Sequence, residues 1–363
     1  MMEALKHTWW GGLAVHLLLA GSWVLGPLFI AVVAAGMGDW TYGLSLGIFG
    51  VMLLEPLGSK RLWTISSLAL DACLGPRSRS EPSFARFWIS FAGTAAIVVL
   101  NYWAPALPKR PKFVKLMQDL DFDKYYYSGP ELRGALDDVQ KSGSLFGFHP
   151  HGILCAGWAW NAIWSKKFAD IAGTDVRFMI DKGLREDNVI FKIICDLHGG
   201  LDSLTKRNLL GALAAKTNVA FVPGGFQDAT LAEFGVHRTA MKKRTGFIKY
   251  ALQHGCRVHP CYSFGECETH YTSTALLNFR LWLNQFGIPA VVIFGFPFVP
   301  ILPRPQAKLQ TFVGKALEFP KIPEPSQEDV SKWHKVYIEA LTELFERHKK
   351  EAGLPESKRL EVW

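Results

Sequence analysis

The sequence predicts an α/β fold with a mostly parallel sheet flanked by helices, preceded by an N-terminal transmembrane hairpin. Long apolar runs occupy the first third of the chain, and they have the length that a membrane-crossing helix needs. Beyond about Lys112, short apolar stretches of strand length alternate with helical stretches, which is typical of a parallel sheet. We therefore predict a hairpin over 1–58, an amphipathic, interfacial or third membrane segment over 59–111, and an α/β domain over 112–363.

Two apolar runs predict the hairpin. The run from Trp9 to Met37 contains no Asp, Glu, Lys or Arg, and the run from Trp40 to Leu57 follows it after only two residues. A link this short allows a tight turn and nothing longer. Lys60 and Arg61 come next, and basic residues favour the cytosolic side of a membrane, so both ends of the hairpin are predicted to lie there.

A third apolar run extends from Phe87 to Leu107. It has Arg86 before it and Lys109 and Arg110 after it, and positive charge at both ends argues against a simple crossing. An interfacial or re-entrant segment is therefore favoured. If the run does cross, the α/β domain lies in the opposite compartment.

The charge of the chain is basic and unevenly distributed. The formal net charge is +8, with six Lys and Arg against five Asp and Glu up to Leu107, and 34 against 27 after it. The excess on the α/β domain indicates a solvated basic surface, a contact with anionic lipid headgroups or a site for an anionic cosubstrate. Nucleic acid is excluded as a partner, because no run of Lys and Arg interleaves with aromatic residues.

The cysteines indicate a reduced, cytosolic catalytic part. None of the six forms a C-x-x-C pair. The sequence groups the following residues within a short stretch: Cys256, His259, Cys261, Cys267 and His270. Their spacing fits no common zinc pattern, and a strand through them would point neighbouring side chains to opposite faces. We therefore predict no metal site.

Strands and helices of the α/β domain can be placed from their apolar patterns. The predicted strands are Ser144–Phe148, Val176–Ile180, Val219–Val222, Arg257–Phe264 and Val291–Phe296, and the predicted helices are Ile153–Phe168, Lys243–Leu252 and Ser326–Lys350. Ser326 can cap the last helix, with Asp329 three residues further on.

Two histidines follow the strand Ser144–Phe148, where sites of parallel sheets collect. In His149-Pro150-His151-Gly152, proline stiffens the turn and glycine permits a close approach of backbone or substrate. Neutral imidazole is well suited to take a proton at physiological pH. A helix beginning near Gly152 would also offer free N–H groups to a developing oxyanion.

A second turn, Gly224-Gly225, follows another strand, and Asp228 beyond it could orient an imidazole or hold a substrate hydroxyl. A third stretch, Lys243–Lys249, places basic residues at the start of a helix, which suits a phosphate-bearing ligand such as coenzyme A. The candidate contacts for this ligand are Lys243, Arg244, Gly246 and Lys249. Taken alone, a glycine turn or a basic helix face is often only structural.

A fourth stretch, Tyr262-Ser263-Phe264-Gly265-Glu266, lies at a strand end and resembles the G-x-S-x-G turn of serine hydrolases. Cys261 stands where the first glycine of that pattern should be, which argues against a serine nucleophile. The remaining substrate or oxyanion candidates are Pro150, Gly152, Gly224, Gly225, Tyr262, Ser263, Gly265 and Glu266.

These stretches, in this order, resemble the type-2 diacylglycerol acyltransferase family, which also includes monoacylglycerol and wax-alcohol acyltransferases. Phe146–Gly152 resembles the signature of the family, and Gly224-Gly225 with Asp228 is similar to its Gly-Gly-x-x-Glu block. Further similar blocks are Arg244–Lys249, Tyr262–Glu266 and Gly353–Glu356 in the charged tail. The resemblance extends from about Lys141 to the end of the chain.

The resemblance implies an acyl-coenzyme A (acyl-CoA) dependent O-acyltransferase that makes triacylglycerol by direct transfer to diacylglycerol. Monoacylglycerol or a long-chain alcohol are alternative acceptors. Acyl-CoA would be a cosubstrate, with no cofactor, a neutral lipid the acceptor, and membrane lipid and a homo-oligomer further partners. The implied location is the endoplasmic reticulum membrane, with a cytosolic catalytic domain and contact with lipid droplets. A serine lipid hydrolase and a non-catalytic lipid-binding membrane protein are the alternatives from other classes.

The resemblance also implies roles for individual residues. Plant members of the family carry Glu-Pro-His-Ser in the histidine block, so only the second histidine is shared, and His151 is the implied base. His149 would shape the turn or contact substrate. Asp228 would orient the ring of His151, and backbone N–H groups near Gly152 or Gly225 would stabilise the oxyanion.

Two positions depart from the family pattern. Asp228 stands where most members have Glu, so its carboxylate reaches one methylene less far. The family's Tyr-Phe-Pro block is represented only by Tyr125-Tyr126-Tyr127-Ser128. Either departure could alter the substrate preference, and neither removes the implied base.

Overall fold

The computed structural model describes residues 8–20, 105–119, 122–285 and 291–363. They form two compact units: the first contains 8–20 and the described parts of 109–181 and 197–363, and the second contains 105–108 and 182–196. The predicted hairpin and the run Phe87–Leu107 fall mostly outside the described residues. Within the described part of the chain, no helix combines the length and the apolar character that a membrane crossing needs.

The helices are α1 (9–20), α2 (Pro111–Asp119), α3 (Ala156–Trp158), α4 (Lys166–Ala172), α5 (Val189–His198), α6 (Lys206–Ala214), α7 (Gly225–Leu231), α8 (Gly246–His254), α9 (Leu277–Asn284) and α10 (Gln327–His348). Single 3₁₀ turns cover Phe122–Tyr125, Leu136–Asp138 and Glu266–Glu268, and π-helical turns cover Ala159–Ile163 and Gly183–Asp187.

The strands are β1 (Glu131–Gly134), β2 (Ser144–His149), β3 (Arg177–Ile180), β4 (Leu201–Ser203), β5 (Val219–Phe221), β6 (Arg238–Thr239), β7 (Arg257–Phe264), β8 (Tyr271–Thr272), β9 (Ile293–Phe294), β10 (Gln310–Val313), β11 (Leu317–Glu318) and β12 (Glu361–Val362).

The main sheet has the strand order β1-β10-β7-β2-β5-β3-β4. The five strands from β7 to β4 in this order run parallel to one another. Strand β10 is antiparallel to β7, β1 is parallel to β10, and β11 pairs antiparallel with the start of β7. The predicted mostly parallel α/β sheet is therefore confirmed.

Apolar side chains alternate between the two faces of the sheet and cover both. On one face, Leu145, Val219 and Val258 pack with α6, α8 and α10 in a continuous cluster of buried residues. On the other face, the rings of Phe146 and Phe148 contact Phe168 of α4. Full burial of such a side chain contributes about 1.5–3 kcal/mol. His149 lies four residues beyond Leu145, so it points to the α10 side.

Helix α10 begins where the sequence predicts. The hydroxyl of Ser326 accepts the N–H of Asp329 at 3.1 Å, and the Asp329 carboxylate accepts the N–H of Ser326 at 2.9 Å. This capping box satisfies two N–H groups that the first turn leaves free. The helix packs along β7 and presents Tyr337, Leu341 and Phe345 to the core, each fully buried.

Two predicted elements differ from the structure. The predicted helix Ile153–Phe168 is broken, because Ser165 caps a new helix by accepting the N–H of Phe168 at 3.2 Å. The apolar run Val291–Phe296 contains only β9, which pairs with β8 outside the main sheet. Val292 is 63% exposed, and the prediction of a strand along the whole run is wrong. An apolar run in a sequence does not by itself show whether the residues are buried in a sheet or remain exposed.

Candidate active site

Three neighbouring parallel strands bring the predicted blocks together. Strand β2 lies between β7 and β5, so the turns that follow all three emerge at one edge of the sheet. His149, the last residue of β2, pairs with Tyr262 of β7. Gly147 pairs with Phe221, the last residue of β5, and the Gly224-Gly225 turn follows it. Blocks that are distant in the sequence therefore meet around one turn.

His149 is fully buried and uses both ring nitrogens. Its Nδ1 lies 3.0 Å from the hydroxyl of Thr239, and its Nε2 lies 2.8 Å from the hydroxyl of Tyr337. Burial lowers its pKa to about 3, so the ring is neutral at physiological pH. Neither nitrogen is left to accept a proton from a substrate.

His151 is half-buried and has a different environment. Its ring Nδ1 lies 3.1 Å from the carbonyl oxygen of Gly152. Because a carbonyl can only accept, Nδ1 carries the hydrogen, and Nε2 of the neutral ring has a free lone pair. Burial lowers the pKa of His151, which favours this neutral form. The ring is thus in the tautomer that a general base needs.

Asp228 holds the main chain of the histidine turn. One carboxylate oxygen accepts the N–H of His151 at 3.1 Å and the hydroxyl of Thr239 at 3.2 Å, and the other accepts the N–H of Ala240. The sequence predicted that Asp228 orients the ring of His151, but its hydrogen bond goes to the backbone. Burial raises the pKa of Asp228, and the three donors act in the opposite direction.

The glycine turn fits tightly around this carboxylate. A Cβ atom on Gly224 would lie 2.0 Å from the carboxyl carbon of Asp228, so a side chain at that position is excluded. Gly225 has a φ of 55°, which glycine adopts readily, and it begins α7. The turn therefore places the start of α7 close to the main chain of His151.

Glu266 occupies the helix start that the sequence suggested for an oxyanion. Its carboxylate is 1% exposed and accepts the N–H groups of Ala156 at 3.1 Å and Gly157 at 2.6 Å. Helix α3 begins at Ala156 instead of near Gly152, and Glu266 already binds its first N–H groups. A Cβ on Gly152 would lie 2.3 Å from this carboxylate, and burial raises the pKa of Glu266 to about 7.

The other residues of the fourth block lie inside the sheet. The Tyr262 hydroxyl is 2.9 Å from Nδ1 of His237, and the Ser263 hydroxyl is 2.8 Å from that of Thr311. Ser263 is only 2% exposed and sits within β7, so it has neither the sharp turn nor the histidine partner of a hydrolase nucleophile. Gly265, with a φ of 82°, turns the chain towards Glu266.

The basic block reaches the same region from α8. Lys243 and Lys249 are exposed on either side of Gly246, where α8 begins. Arg244 donates a hydrogen bond to the carbonyl of Gly224 at 3.3 Å. The structure therefore joins the third block to the glycine turn, while its contact with a ligand remains a prediction.

Two contributors to the site were missed from the sequence. Thr239 comes from the two-residue strand β6, and Tyr337 comes from α10, whose apolar face predicted only a core role. Their signal would have been a polar atom within an otherwise apolar pattern. Such atoms are usually hydrogen-bonded when buried, but the partner cannot be read from one element.

The cysteines and histidines between Cys256 and His270, which the sequence groups in a short stretch, have separate partners in the structure. His259 Nδ1 lies 2.9 Å from the carbonyl of Gly314, and the Cys267 sulfur lies 3.7 Å from Nδ1 of His237. In the residues that the structure describes, no group of three or more His, Cys, Asp or Glu is arranged to hold a metal ion.

Comparisons with known proteins identify the family of the chain. A family model described as diacylglycerol acyltransferase matches residues 98–363. Diacylglycerol O-acyltransferase 2-like protein 6 of Mus musculus is 33% identical over 238 residues, which cover 59% of this chain and 68% of that protein. Acyl-CoA wax alcohol acyltransferase 2 of Homo sapiens is 31% identical over 233 residues, covering 59% and 68%. Diacylglycerol O-acyltransferase 2 of Xenopus tropicalis is 30% identical over 242 residues, covering 60% and 64%.

Among solved structures, the 1-acyl-sn-glycerophosphate (LPA) acyltransferase PlsC of Thermotoga maritima aligns with a TM-score of 0.38 and 14% identity, over 70% of this chain and 89% of that one. This likeness is too distant to bear on the reaction. The family model, in contrast, covers well over half of the chain and includes every block around the histidine turn. The protein belongs to the diacylglycerol acyltransferase family, and it is an acyltransferase.

Proposed function

We propose that the protein is an acyl-CoA:diacylglycerol O-acyltransferase that makes triacylglycerol, with His151 as the general base. The family match supports acyl transfer, and the observation that carries the choice of base is the contact between His151 Nδ1 and the Gly152 carbonyl at 3.1 Å. It leaves Nε2 as the basic nitrogen, whereas both nitrogens of His149 are engaged. The two histidines of the turn thus have different roles.

The reaction needs one proton transfer in each direction. His151 Nε2 takes the hydroxyl proton of the acceptor, and the acceptor oxygen attacks the thioester carbonyl. The tetrahedral intermediate collapses, the C–S bond breaks, and the imidazolium returns the proton to the leaving sulfur of coenzyme A. General base catalysis contributes about 10²–10⁴-fold to such a step. Direct attack needs no acyl-enzyme, which agrees with the buried position of Ser263.

Other groups support the substrates in this scheme. Since Glu266 holds the first N–H groups of α3, the N–H groups of the Gly224-Gly225 turn are the remaining candidates for the oxyanion. Lys243, Arg244 and Lys249 near the start of α8 supply positive charge for the phosphates of acyl-CoA. No metal or cofactor enters the proposed reaction.

The acceptor is the least defined substrate. Named relatives include acyltransferases for diacylglycerol and for wax alcohols at similar identity, so monoacylglycerol or a long-chain alcohol is an alternative acceptor. All three dissolve in a bilayer, which gives the predicted membrane hairpin a mechanistic reason. We propose an endoplasmic reticulum location with the catalytic domain in the cytosol and contact with lipid droplets.

The proposal is tested by expressing the chain in cells that make no storage lipid. Washed microsomes receive labelled acyl-CoA with diacylglycerol, monoacylglycerol or hexadecanol in turn, and the esters and the released thiol are measured. We expect triacylglycerol to be the main product and His151→Ala to lower its formation at least a hundredfold, with the protein still folded. Wild-type activity of His151→Ala would exclude His151 as the base.

A parallel measurement addresses the hydrolase alternative. A fluorophosphonate probe labels activated serines, so we expect no labelling of the wild type at Ser263. Labelling that disappears in Ser263→Ala would favour a lipid hydrolase over acyl transfer. The absence of thiol release with every acceptor would instead favour a non-catalytic lipid-binding protein.

A further inference from the structure

A continuous chain of hydrogen bonds connects the two histidines of the turn. It passes from the Tyr337 hydroxyl to His149 at 2.8 Å, from His149 to the Thr239 hydroxyl at 3.0 Å, from Thr239 to Asp228 at 3.2 Å, and from Asp228 to the N–H of His151 at 3.1 Å. Tyr337, His149 and Thr239 are 0% exposed and Asp228 is 2% exposed. These partners are therefore shielded from bulk water.

The donor and acceptor roles in this chain of hydrogen bonds follow from Asp228, at its acidic end. The N–H groups of His151 and Ala240 can only donate, so they stabilise both oxygens of Asp228 as carboxylate acceptors. The remaining partner, Thr239, has one hydrogen, and it donates this hydrogen to Asp228. The hydroxyl oxygen of Thr239 must then accept a hydrogen bond from its second neighbour.

That neighbour is His149, and its tautomer is therefore fixed. Because the Thr239 oxygen accepts, Nδ1 of His149 carries a hydrogen and donates it. Burial keeps the ring neutral, with a pKa of about 3, so Nε2 is unprotonated and accepts the hydroxyl hydrogen of Tyr337 at 2.8 Å. The other acceptor near this hydroxyl, the carbonyl oxygen of Gly147, is further away at 3.4 Å. Each of these donors points towards Asp228, and such polarised chains strengthen the interaction with a buried charge.

The backbone beside these hydrogen-bonded side chains is also held in position. A Cβ on Gly147 would lie 2.2 Å from the Tyr337 hydroxyl, so the strand leaves just enough space for that group. Strand β6 pairs in parallel with β12, and the carbonyl of Thr239 accepts the N–H of Trp363 at 2.8 Å. Two elements far from the histidine turn, α10 and β12, thus hold the hydroxyls in place.

We propose that Thr239 and Tyr337 are positioning residues of the acyl transfer. They fix the tautomer of His149 and the orientation of Asp228, and Asp228 in turn holds the main chain of His151 where its ring can take the acceptor proton. His149 is a positioning residue in the same sense, because it offers no free nitrogen to substrate. The kinetic part rests on the proposed function, whereas the tautomer does not.

The kinetic test compares shape-preserving variants. Thr239→Val removes the hydroxyl and keeps the volume, and Thr239→Ser keeps the hydroxyl. Thr230→Val is the matched control, because Thr230 is also a buried threonine, and its hydroxyl has no hydrogen-bond partner among the described residues. We expect Thr239→Val to lower kcat about 10- to 100-fold with an unchanged KM for acyl-CoA, and Thr239→Ser and Thr230→Val to stay within about threefold of wild type.

A spectroscopic test is independent of activity. The ¹⁵N spectrum of histidine-labelled protein distinguishes the two neutral tautomers, and the signal of His149 is assigned by its absence from a His149→Gln variant. We expect the Nδ1–H tautomer in the wild type, unchanged at pH 5. Thr239→Val and Tyr337→Phe should each shift this signal, because each removes the partner of one ring nitrogen.

The outcomes separate the two proposals. An Nε2–H tautomer of His149 in the wild type, or equal kcat losses in Thr239→Val and Thr239→Ser, would overturn the positioning role. So would a kcat loss in Thr239→Val that follows its loss of folded protein at the assay temperature. If the wild type forms no ester, the proposed reaction fails, and the ¹⁵N spectrum still decides whether the network exists.

Discussion

At the scale of residues, the histidine turn shows how surroundings divide roles between like side chains. His149 and His151 are two positions apart, yet one ring is closed in by two hydroxyls and the other is held by a single carbonyl. A ring with one nitrogen fixed and the other free can exchange a proton, and a ring with both fixed cannot. The chemical distinction comes from partners on β6 and α10 and not from the turn itself.

The shorter carboxylate of Asp228 suits its own surroundings. It already reaches three donors, and it lies so close to Gly224 that a Cβ there would be 2.0 Å from its carboxyl carbon. We expect Asp228→Glu to lower kcat at least tenfold, because overpacking shifts the main chain of His151. Steady-state kinetics measure the effect. A variant as fast as wild type would show that the carboxylate position is not critical.

The pH dependence of the reaction should report His151. Burial lowers its pKa from the ordinary value of 6.5, so the base stays unprotonated until the pH falls below that value. We expect kcat/KM to fall on the acid side with a midpoint below 6.5, since this quantity follows the free enzyme. Rates measured from pH 5 to 8 provide the check. A midpoint above 6.5 would indicate a different base.

The sequence could identify the histidines and the carboxylates but not their contacts. His151, Asp228 and Glu266 stand in recognisable blocks, so their membership of the site could be predicted. The partners of Asp228 and Glu266 could not, because the relevant N–H groups belong to segments that only the fold brings near. For Thr239 and Tyr337, the local pattern shows only a polar atom among apolar neighbours, and the partner of a buried hydroxyl depends on tertiary contacts.

At the scale of elements, the start of α3 is held by the buried carboxyl group of Glu266. Glu266 accepts hydrogen bonds from two N–H groups that a helix start leaves free, those of Ala156 and Gly157. Glu266 lies in the turn that follows β7, so its hydrogen bonds fix the position of α3, the helix that follows the histidine turn. Helix α3 and β7 are thereby joined behind the site.

This carboxylate should affect stability as well as geometry. Burial raises the pKa of Glu266 from 4.5 to about 7, so the folded state keeps its proton over a range in which the unfolded chain releases it. The resulting stabilisation is present below pH 4.5 and is lost as the pH rises through about 7. Relative to Glu266→Gln, we therefore expect the wild type to lose stability across this interval.

Urea unfolding followed by tryptophan fluorescence, at several values between pH 4.5 and 8, measures this difference. Glu268→Gln is the control, because Glu268 is a half-buried carboxylate on the same turn. A constant difference between wild type and Glu266→Gln across the interval would contradict the shifted pKa.

Elements with a strong and unambiguous pattern were predicted well. Strands β2 and β7 and helix α10 have apolar patterns of the right period and length, and their bounds agree within a few residues. Strand β10 was missed, because Gln310 and Thr311 give it a polar start although both are buried. Burial of polar residues in a sheet depends on neighbours such as β7 and β1, which a local pattern does not contain.

At the scale of the whole molecule, α1 packs against the compact unit that contains the candidate site, and it belongs to that unit. The ring of His16 stacks on Tyr125 with centroids 4.0 Å apart and contacts Trp160 at 4.4 Å. On the opposite side of α1, Trp10 is 65% exposed and Leu17 is 43% exposed. This part of the predicted first membrane run therefore has one face against protein and an apolar face that would suit lipid.

Membrane attachment is a prediction for the whole chain. We expect the expressed protein to remain in the microsomal pellet after washing at alkaline pH, because the predicted hairpin would bury two apolar runs in the bilayer. Immunoblotting of pellet and supernatant measures this, with a cytosolic enzyme and an integral membrane protein as references. Quantitative release by the wash would exclude a hairpin that crosses the membrane.

The order of strands in the sheet has a consequence for biosynthesis. The site needs β2, β5 and β7 side by side, yet they are separated by long stretches of chain, and such long-range parallel pairings form slowly. While Glu266 of a nascent chain is still inside the ribosome, the carboxyl group that holds the start of α3 is not yet in place. Ribosome-bound chains should therefore have an unfinished turn around His151, with the apolar edge of β2 exposed to chaperones.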